Sequence, residues 1–246
     1  MKKKVMIWGI FLLISFNLSA YTLKDAIKLY KNNEYIKAKE AFLDVIKKDS
    51  NNFTAYYYLG IISKILGDID NSILALKRAI ELQPNNINLY VELADVYLSA
   101  GLYDLSIKYC IYALQYDKDN DRIFSILGQA YYNKKDYKDA EKAYQKAIEL
   151  NVGNAYYYNL LGLTYLKMKQ YNKANTSFLT AIALDSSVFF FYYNLGLSYE
   201  KLKEYKKAKE SYLRCLKLNK DFDQAKKQLK KVKRILRYEK RKRRKK

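Results

Sequence analysis

The chain has 246 residues, half of them apolar, and this is enough material for a sizeable hydrophobic core. One proline and eight glycines disfavour a collagen-like or turn-rich all-β protein and favour long helices. The sequence contains no histidine, the side chain that most often transfers protons near neutral pH and most often binds transition metals. These counts favour a helical binding protein over a catalyst.

The formal net charge of +21 is concentrated near the C-terminus. Residues 21–225 carry 29 basic and 24 acidic side chains, whereas residues 226–246 carry 14 basic side chains against the single acidic residue Glu239. Because the body of the chain is nearly balanced, the charge does not predict a basic surface spread over the whole fold.

The first 20 residues have the order of an export signal. Three lysines follow Met1, an apolar run extends over residues 5–16, and small residues precede and include Ala20. The run is shorter than the roughly 20 residues of a membrane-spanning helix, and no polar face interrupts it, which disfavours a buried helix of the mature fold. We predict a signal peptide over residues 1–20 with cleavage after Ala20, and an uncleaved N-terminal anchor is the alternative.

A short motif recurs every 34 residues along most of the chain. Its marker is a leucine followed by a small residue, and the residue three positions further on is usually a tyrosine. The pairs are Leu59-Gly60, Leu93-Ala94, Leu127-Gly128, Leu161-Gly162 and Leu195-Gly196. The residues three positions beyond them are Ser63, Tyr97, Tyr131, Tyr165 and Tyr199. A fixed period of this length indicates a solenoid of stacked units.

Six units cover the chain when a weaker copy around Ala26 is included. They lie near residues 19–52, 53–86, 87–120, 121–154, 155–188 and 189–220. Apolar residues at steps of three and four form two amphipathic stripes in each unit, so each unit is predicted to be two helices. Small residues belong where the two helices cross, because a large side chain would hold the axes apart. Four glycines are expected at these crossings, namely Gly60, Gly128, Gly162 and Gly196. Gly67 and Gly101 are expected at turns between helices.

The fifth and sixth units carry the fullest copies of the motif. The fifth reads Tyr158, Leu161, Gly162, Tyr165, Tyr171, Ala174, Phe178 and Ala181, and the sixth reads Tyr192, Leu195, Gly196, Tyr199, Tyr205, Ala208 and Tyr212. This pattern resembles the tetratricopeptide repeat family. The resemblance implies an all-α fold, a right-handed α-solenoid of about six helix pairs over residues 21–220. Only the second unit keeps the family's terminal proline, Pro84, and the first unit lacks the leucine–glycine pair.

One more helix is predicted after the sixth unit. Apolar residues repeat there at steps of three and four from Phe222 to Leu236, so a capping helix over residues 221–238 can cover the exposed flank of the last unit. Residues 239–246 are almost wholly basic and are predicted to be a tail that is disordered by the repulsion between its charges.

In the resembling family, the first helix of each pair lines a concave surface that holds a peptide or helix of a partner protein. Carried onto this sequence, those positions imply a groove rich in aromatic and amide side chains, centred on the fourth to sixth units. The groove residues are Tyr57, Asp95, Gln129, Tyr132, Asn133, Tyr156, Asn159, Leu163, Phe190, Tyr193, Asn194 and Leu197, with Ile61 and Arg122 at matching positions. Amides can hydrogen-bond an extended backbone while rings bury apolar area. In the competing interpretation, these rings pack between neighbouring units as core.

Two functional hypotheses follow. The leading one is an exported scaffold, in the periplasm or cell envelope of a bacterium, that binds a partner protein or peptide in its concave groove. The alternative is an envelope- or membrane-associated structural protein docked to an anionic membrane or envelope polymer through its tail, with a strong salt dependence. The tail residues are Lys240, Arg241, Lys242, Arg243, Arg244, Lys245 and Lys246. In a third interpretation, the tail only keeps the protein soluble. Nucleic acid is disfavoured as a partner of the tail, because export would separate the protein from the compartment that contains nucleic acid.

The sequence predicts neither catalysis nor a cofactor. It contains no nucleophile elbow, phosphate loop, dinucleotide fingerprint or histidine-containing metal signature, so we predict no enzyme, no cofactor and no metal site. Cys110 and Cys215 both lie in helical stretches and are predicted to be small core residues, not a disulfide or a zinc site. A clamp for a terminal carboxylate is disfavoured, because Lys167 and Lys201 lack the matching asparagines on neighbouring helices.

Overall fold

The computed structural model describes residues 21–243, which form thirteen helices and no strand. The helices are α1 (Leu23–Lys31), α2 (Tyr35–Lys48), α3 (Phe53–Ile65), α4 (Ile69–Leu82), α5 (Ile87–Ser99), α6 (Tyr103–Leu114), α7 (Asp121–Lys134), α8 (Tyr137–Leu150), α9 (Ala155–Lys167), α10 (Tyr171–Leu184), α11 (Phe189–Lys201), α12 (Tyr205–Leu218) and α13 (Asp223–Arg243). The prediction of an all-α solenoid with two helices in each of six units is confirmed. The predicted signal peptide, residues 1–20, lies outside the described residues.

The helices stack in two layers. Each helix packs against the next in the chain, and from α1 to α11 each odd-numbered helix also contacts the next odd-numbered helix. No two successive even-numbered helices within residues 21–243 make comparable contact. The odd-numbered layer is therefore the tighter one, so it forms the inner wall of the curved solenoid and the even-numbered helices form the outer wall.

Glycine allows the two helices of a unit to cross closely, as predicted. A Cβ placed on Gly162 would lie 2.6 Å from the ring of Phe178, and one on Gly60 would lie 2.6 Å from Leu76. Both of these neighbours are fully buried. No side chain larger than hydrogen fits at these crossings without displacing a packed residue.

The turns between the paired helices require a left-handed backbone. Gly67 and Gly101 have φ values of +78° and +75°, which confirms their predicted place at turns. The corresponding residues of the other units are not glycine. They are Asn33, Lys135, Lys169 and Lys203, with φ between 60° and 70°. Side chains with a Cβ are therefore held in a conformation that favours glycine.

The last helix packs against the sixth unit, as predicted. Leu229 and Val232 of α13 lie in one apolar cluster with Ala208 and Tyr212 of α12. None of the helices within residues 21–243 has the length and hydropathy that a membrane-spanning segment requires.

The predicted end of this helix is wrong. It continues to Arg243 instead of ending at Tyr238, so residues 239–243 are helical and not disordered. Lysine and arginine are good helix formers, and positive charge is favourable at the C-terminal end of a helix dipole. In this segment, both effects outweigh the repulsion between like charges. Residues 244–246 lie outside the described residues.

Candidate functional site

All of the predicted groove residues lie on odd-numbered helices, from Tyr57 on α3 to Leu197 on α11. They therefore belong to the inner layer. Most of them fall into a charged network on α3 to α7, a cleft between α7 and α9, and an amide pair and an aromatic group that both join α9 and α11.

The charged network joins three successive inner helices. Arg122 of α7 donates to both carboxylate oxygens of Glu92 on α5 at 2.5 and 2.9 Å, and to Asp95 at 3.2 Å. Lys64 of α3 also pairs with Asp95. The hydrogen bonds to Glu92 raise the pKa of Arg122, so the guanidinium stays charged. Two positive and two negative side chains neutralise one another in this part of the inner face. Sequence reasoning selected Asp95 and Arg122 but missed Glu92.

Tyr57 lies next to this network. Its ring packs against the apolar cluster formed by α4 and α5, and it meets Tyr58 edge to face with centroids 5.3 Å apart. Burial raises the pKa of the Tyr57 phenol, and nearby Glu92 adds to the shift. Tyr57 is therefore partly a core residue.

A cleft of about 160 Å³ between α7 and α9 brings four predicted groove residues together. They are Gln129, Tyr132 and Asn133 of α7 and Leu163 of α9, with Tyr144 and Leu160 as further lining residues. Among the described residues, Gln129 makes only long contacts of 3.5 Å to the backbone oxygen and hydroxyl of Ser125, and Asn133 is exposed. The cleft therefore presents amide groups beside an apolar wall.

Two predicted groove asparagines bind each other. Asn194 Nδ2 donates to Asn159 Oδ1 at 2.8 Å, and the residues are only 8% and 5% exposed. The predicted groove uses these amides to hydrogen-bond a partner's backbone, but in the structure this donor and this acceptor bind each other. They are 35 residues apart, one more than the repeat period, and so face each other across α9 and α11.

The aromatic group lies at the beginning of α9 and α11. Tyr156 is 51% exposed, and its ring centroid lies 6.0 Å from Phe190 and 5.5 Å from Phe191. Tyr193 instead packs against Phe222 and the apolar cluster between α12 and α13. The interpretation of these rings as packing residues therefore fits Tyr193, whereas Tyr156 keeps half of its surface open to a ligand.

Leu197 lies where the inner face meets α13. It packs against the α12–α13 cluster and lines a small pocket with Glu200 and Lys231. Glu200 accepts hydrogen bonds from Tyr212 at 2.6 Å and from Lys231 at 2.7 Å. These contacts tie α13 to α11 and α12, so α13 closes the C-terminal end of the groove.

The predicted anionic-surface residues are part of a longer cationic stripe. Lys240, Arg241, Lys242 and Arg243 lie in α13, and Arg244 to Lys246 lie outside the described residues. Earlier cations of α13 line one flank of the helix beside Leu216 and Leu229. They are Lys226, Lys230, Lys233, Arg234 and Arg237. These cations lie within residues 221–238, the segment predicted to be a capping helix.

Both cysteines are buried and free, as the interpretation as core residues predicts. Burial raises the pKa of the Cys110 thiol to about 12 and that of the Cys215 thiol to about 11. Across residues 21–243, no group of three cysteine or carboxylate side chains could hold a metal ion.

Several solved structures share this fold. A chain of the APC/C hetero-tetramer Cut9-Hcn1 is 21% identical with a TM-score of 0.73, and the match covers 84% of this chain and 41% of that one. The present chain thus spans less than half of its length. MamA from Desulfovibrio magneticus RS-1 is 20% identical with a TM-score of 0.62, covering 67% and 93%. YrrB, described as a TPR protein with an unusual peptide-binding site, is 20% identical with a TM-score of 0.59, covering 78% and 99%. At these identities the likeness shows the fold.

Among curated proteins, no sequence matches this chain significantly. Family models give a clear result. One described as "Tetratricopeptide repeat" matches residues 122–154 and 190–222, one described as "TPR repeat" matches residues 64–101, and a second "Tetratricopeptide repeat" model matches residues 143–174. Together they cover just over half of the sequence, and the matches to residues 122–154 and 190–222 coincide with the helix pairs α7–α8 and α11–α12. The chain therefore belongs to the tetratricopeptide repeat family.

Proposed function

We propose that this protein is an exported, non-catalytic scaffold that binds an extended segment of a partner protein on the inner face of α7, α9 and α11. Proteins of this family bind protein or peptide partners. The observation that carries the proposal is the cleft between α7 and α9, where Gln129, Tyr132, Asn133 and Leu163 meet. The peptide-binding site named for YrrB supports a peptide as the ligand.

The chemistry of the cleft suits an extended peptide. Amide side chains of Gln129 and Asn133 can donate to a backbone carbonyl and accept from a backbone N–H. The volume of about 160 Å³ equals about five water molecules at roughly 30 Å³ each, which suits one apolar side chain beside Leu163. The exposed half of Tyr156 extends this surface toward α11. We expect the charged network around Arg122 to contribute little affinity, because its charges already satisfy one another.

The test is to select binders from a random peptide library and measure their affinity by titration calorimetry. Asn133→Ala and Leu163→Ala should each weaken binding at least about tenfold, or about 1.4 kcal/mol, while the far-UV circular dichroism stays unchanged. Asn172→Ala, at an exposed position on α10 of the outer layer, is the matched control and should bind like wild type. If Asn133→Ala and Leu163→Ala both bind the peptides as tightly as wild type does, the proposed site is refuted.

Export is tested separately. The three lysines, the apolar run and the small residues around Ala20 support cleavage after that residue. Mass spectrometry of the protein from its native cells should find a mature chain that begins at Tyr21. A chain that begins at Met1 would contradict cleavage and leave the anchor hypothesis.

The cationic flank of α13 supports a second function, docking to an anionic membrane. Its lysines and arginines extend along the helix from Lys226 to Lys242, and binding of this kind weakens with salt because it is electrostatic. Replacing Lys226, Lys230 and Lys233 by glutamine should reduce retention on phosphatidylglycerol vesicles. The control replaces three lysines of α8, namely Lys138, Lys142 and Lys146. Equal retention of both triple variants would exclude docking through α13.

A further inference from the structure

The second unit departs from the repeat at one position that matters for the outer face. Units three to six have a tyrosine three residues after the small residue at the helix crossing, and the second unit has Ser63 there. The tyrosines are Tyr97, Tyr131, Tyr165 and Tyr199. Because serine stands in place of tyrosine, the second unit lacks an aromatic ring at this position.

In the later units this ring fills the space between two successive outer helices. Gln145 of α8 donates to Tyr165 Oη at 3.4 Å, and Lys173 of α10 lies 5.3 Å from the centroid of the same ring. Tyr97 shares an apolar cluster with side chains of α4 and stacks on Tyr109 of α6 at 5.4 Å. The tyrosine thus bridges the outer helix of the preceding unit and the outer helix of its own.

At Ser63 the same space forms a cavity of about 590 Å³ between α2 and α4, open to the outer face. Its apolar wall is formed by Leu43, Ile46, Leu59, Leu74 and Ala75. Leu43 and Leu74 are 40% and 68% exposed, so they form a hydrophobic rim. Exposed aliphatic side chains also occur on other outer helices, such as Ile111 and Leu179, but here two of them border a cavity.

The cavity also contains a polar group without a partner. Ser63 is fully buried and lines the cavity, and its Oγ has no hydrogen-bond partner among the described residues. Buried hydroxyl groups in folded proteins are normally hydrogen-bonded. Three of the four charged residues that line the cavity are in ion pairs, since Lys39 binds Asp68 at 2.7 Å and Arg78 binds Glu81 at 2.8 Å, and the fourth is Lys77.

We propose that this cavity is a second binding site, which accepts an aromatic side chain of a partner segment, with tyrosine preferred. The incoming ring takes the place that the unit's own tyrosine occupies in units three to six. Its apolar edges pack against Leu43, Leu59 and Leu74, and its hydroxyl hydrogen-bonds Ser63 Oγ. The site lies on the outer face between α2 and α4, away from the groove on α7 to α11, so either site can be disproved without the other.

Binding is measured by methyl NMR on the leucines of the full chain, with N-acetyltyrosinamide, N-acetylphenylalaninamide and N-acetylleucinamide as probes. The tyrosine probe should give saturable shifts at Leu43, Leu59 and Leu74, with the phenylalanine probe weaker and the leucine probe weakest. Ser63→Ala should abolish the preference for tyrosine over phenylalanine, because it removes the hydroxyl with which the phenol of the tyrosine probe pairs.

Ser63→Tyr restores the repeat tyrosine and should fill the cavity from within, so that affinity for the tyrosine probe falls at least tenfold. Leu74→Asp is the second blocking variant, since it changes only the exposed rim and leaves the core intact. Leu179→Asp, at an exposed leucine on α10, is the control and should bind like wild type. The proposal is overturned if wild type shows no saturable shift, if Ser63→Tyr and Leu74→Asp both bind like wild type, or if the leucine probe binds as tightly as the tyrosine probe.

Discussion

Replacing Gly162 by alanine should destabilise the solenoid, although alanine is the better helix former. A Cβ at this position would lie 2.6 Å from Cε1 and 2.8 Å from Cδ1 of Phe178. Carbon atoms attract each other best at about 3.5–4.0 Å, so the new methyl group would overlap the ring by about 1 Å. Phe178 is fully buried, and its ring cannot move into solvent to make room.

Two effects of opposite sign set the size of the change. Alanine is favoured over glycine inside a helix by about 1 kcal/mol. Overpacking a dense core costs about 1–3 kcal/mol, and here the cost is near the upper end because the methyl group meets a rigid ring. We expect the free energy of unfolding to fall by about 1–2 kcal/mol. For a chain of this length, that corresponds to a fall in Tm of about 2–8 °C.

Urea unfolding followed by circular dichroism measures this change. Gly153→Ala is the matched control, because the nearest atom to its Cβ would be Asn151 Oδ1 at 3.8 Å, and its effect should stay within about 0.5 kcal/mol. Combining Gly162→Ala with Phe178→Leu should recover part of the loss, with a coupling energy of about 0.5–3 kcal/mol. Urea midpoints are compared only between variants with the same m value, the dependence of unfolding free energy on urea concentration. This condition is needed because repeat arrays can unfold in more than two states.

The reasoning is refuted if Gly162→Ala is as stable as wild type and its effect simply adds to that of Phe178→Leu. That result would mean that α9 and α10 do not cross closely at Gly162.

Three further predictions concern stability. Lys169→Gly should raise the free energy of unfolding by about 1 kcal/mol, because the left-handed backbone at φ 61° costs a side chain with a Cβ roughly 1–2 kcal/mol; urea unfolding measures it. Arg122→Met should lower it by about 1.5–3 kcal/mol, because Glu92, which is only 8% exposed, loses its charged hydrogen bonds. Stability should also fall as the pH rises above about 9. The pKa of Cys110 is raised from 9.0 to about 12, so the unfolded chain loses the thiol proton at a lower pH than the folded chain. Cys110→Ala should therefore reduce the loss of unfolding free energy with rising pH, by up to about 1.4 kcal/mol per pH unit.

Each of these has its own control. Lys173→Gly, in the first turn of α10, should lower the free energy of unfolding by up to about 1 kcal/mol, and a stabilising effect there would remove the conformational explanation for Lys169. Lys209→Met changes a lysine that lies outside the network and should have little effect, so an equal loss would show that Arg122 acts through something other than Glu92. If the free energy of unfolding of Cys110→Ala falls with pH above about 9 as steeply as that of wild type, the thiol is not the group responsible.

The sequence was sufficient for the helix pairs because their signal repeats. The 34-residue return of Leu161-Gly162 and its equivalents depends on one contact, the close crossing of two helices, and that contact demands a small residue in every unit. A requirement repeated in each unit stands out in a single sequence. The end of α13 has no such repeated signal, and there the helix propensity of lysine and arginine outweighs the repulsion between their charges.

The site was harder to predict because its decisive contacts join neighbouring units. Glu92 pairs with Arg122 across 30 residues, and Asn159 pairs with Asn194 across 35. Other ion pairs between units, such as Lys134 with Asp104 and Lys231 with Glu200, span 30 and 31 residues. A search for opposite charges about 30 residues apart would have found Glu92. The pairing of the two asparagines depends on side-chain direction, which the period does not determine.

Ser63 shows a different limit. Its departure from the tyrosines of the later units is visible in the sequence, but the sequence does not show whether a neighbouring side chain fills the space. The structure shows that α2 and α4 leave it open.

The central claim is that the inner face of α7 to α11 holds a segment of a partner protein. It is tested most directly by photo-crosslinking in native cells, with Tyr156→p-benzoylphenylalanine on the inner face compared with Leu179→p-benzoylphenylalanine on the outer helix α10. Both positions are about half exposed. We predict that the Tyr156 position forms a defined adduct with a segment of one partner protein and that the Leu179 position does not. An adduct formed only from Leu179 would contradict the account.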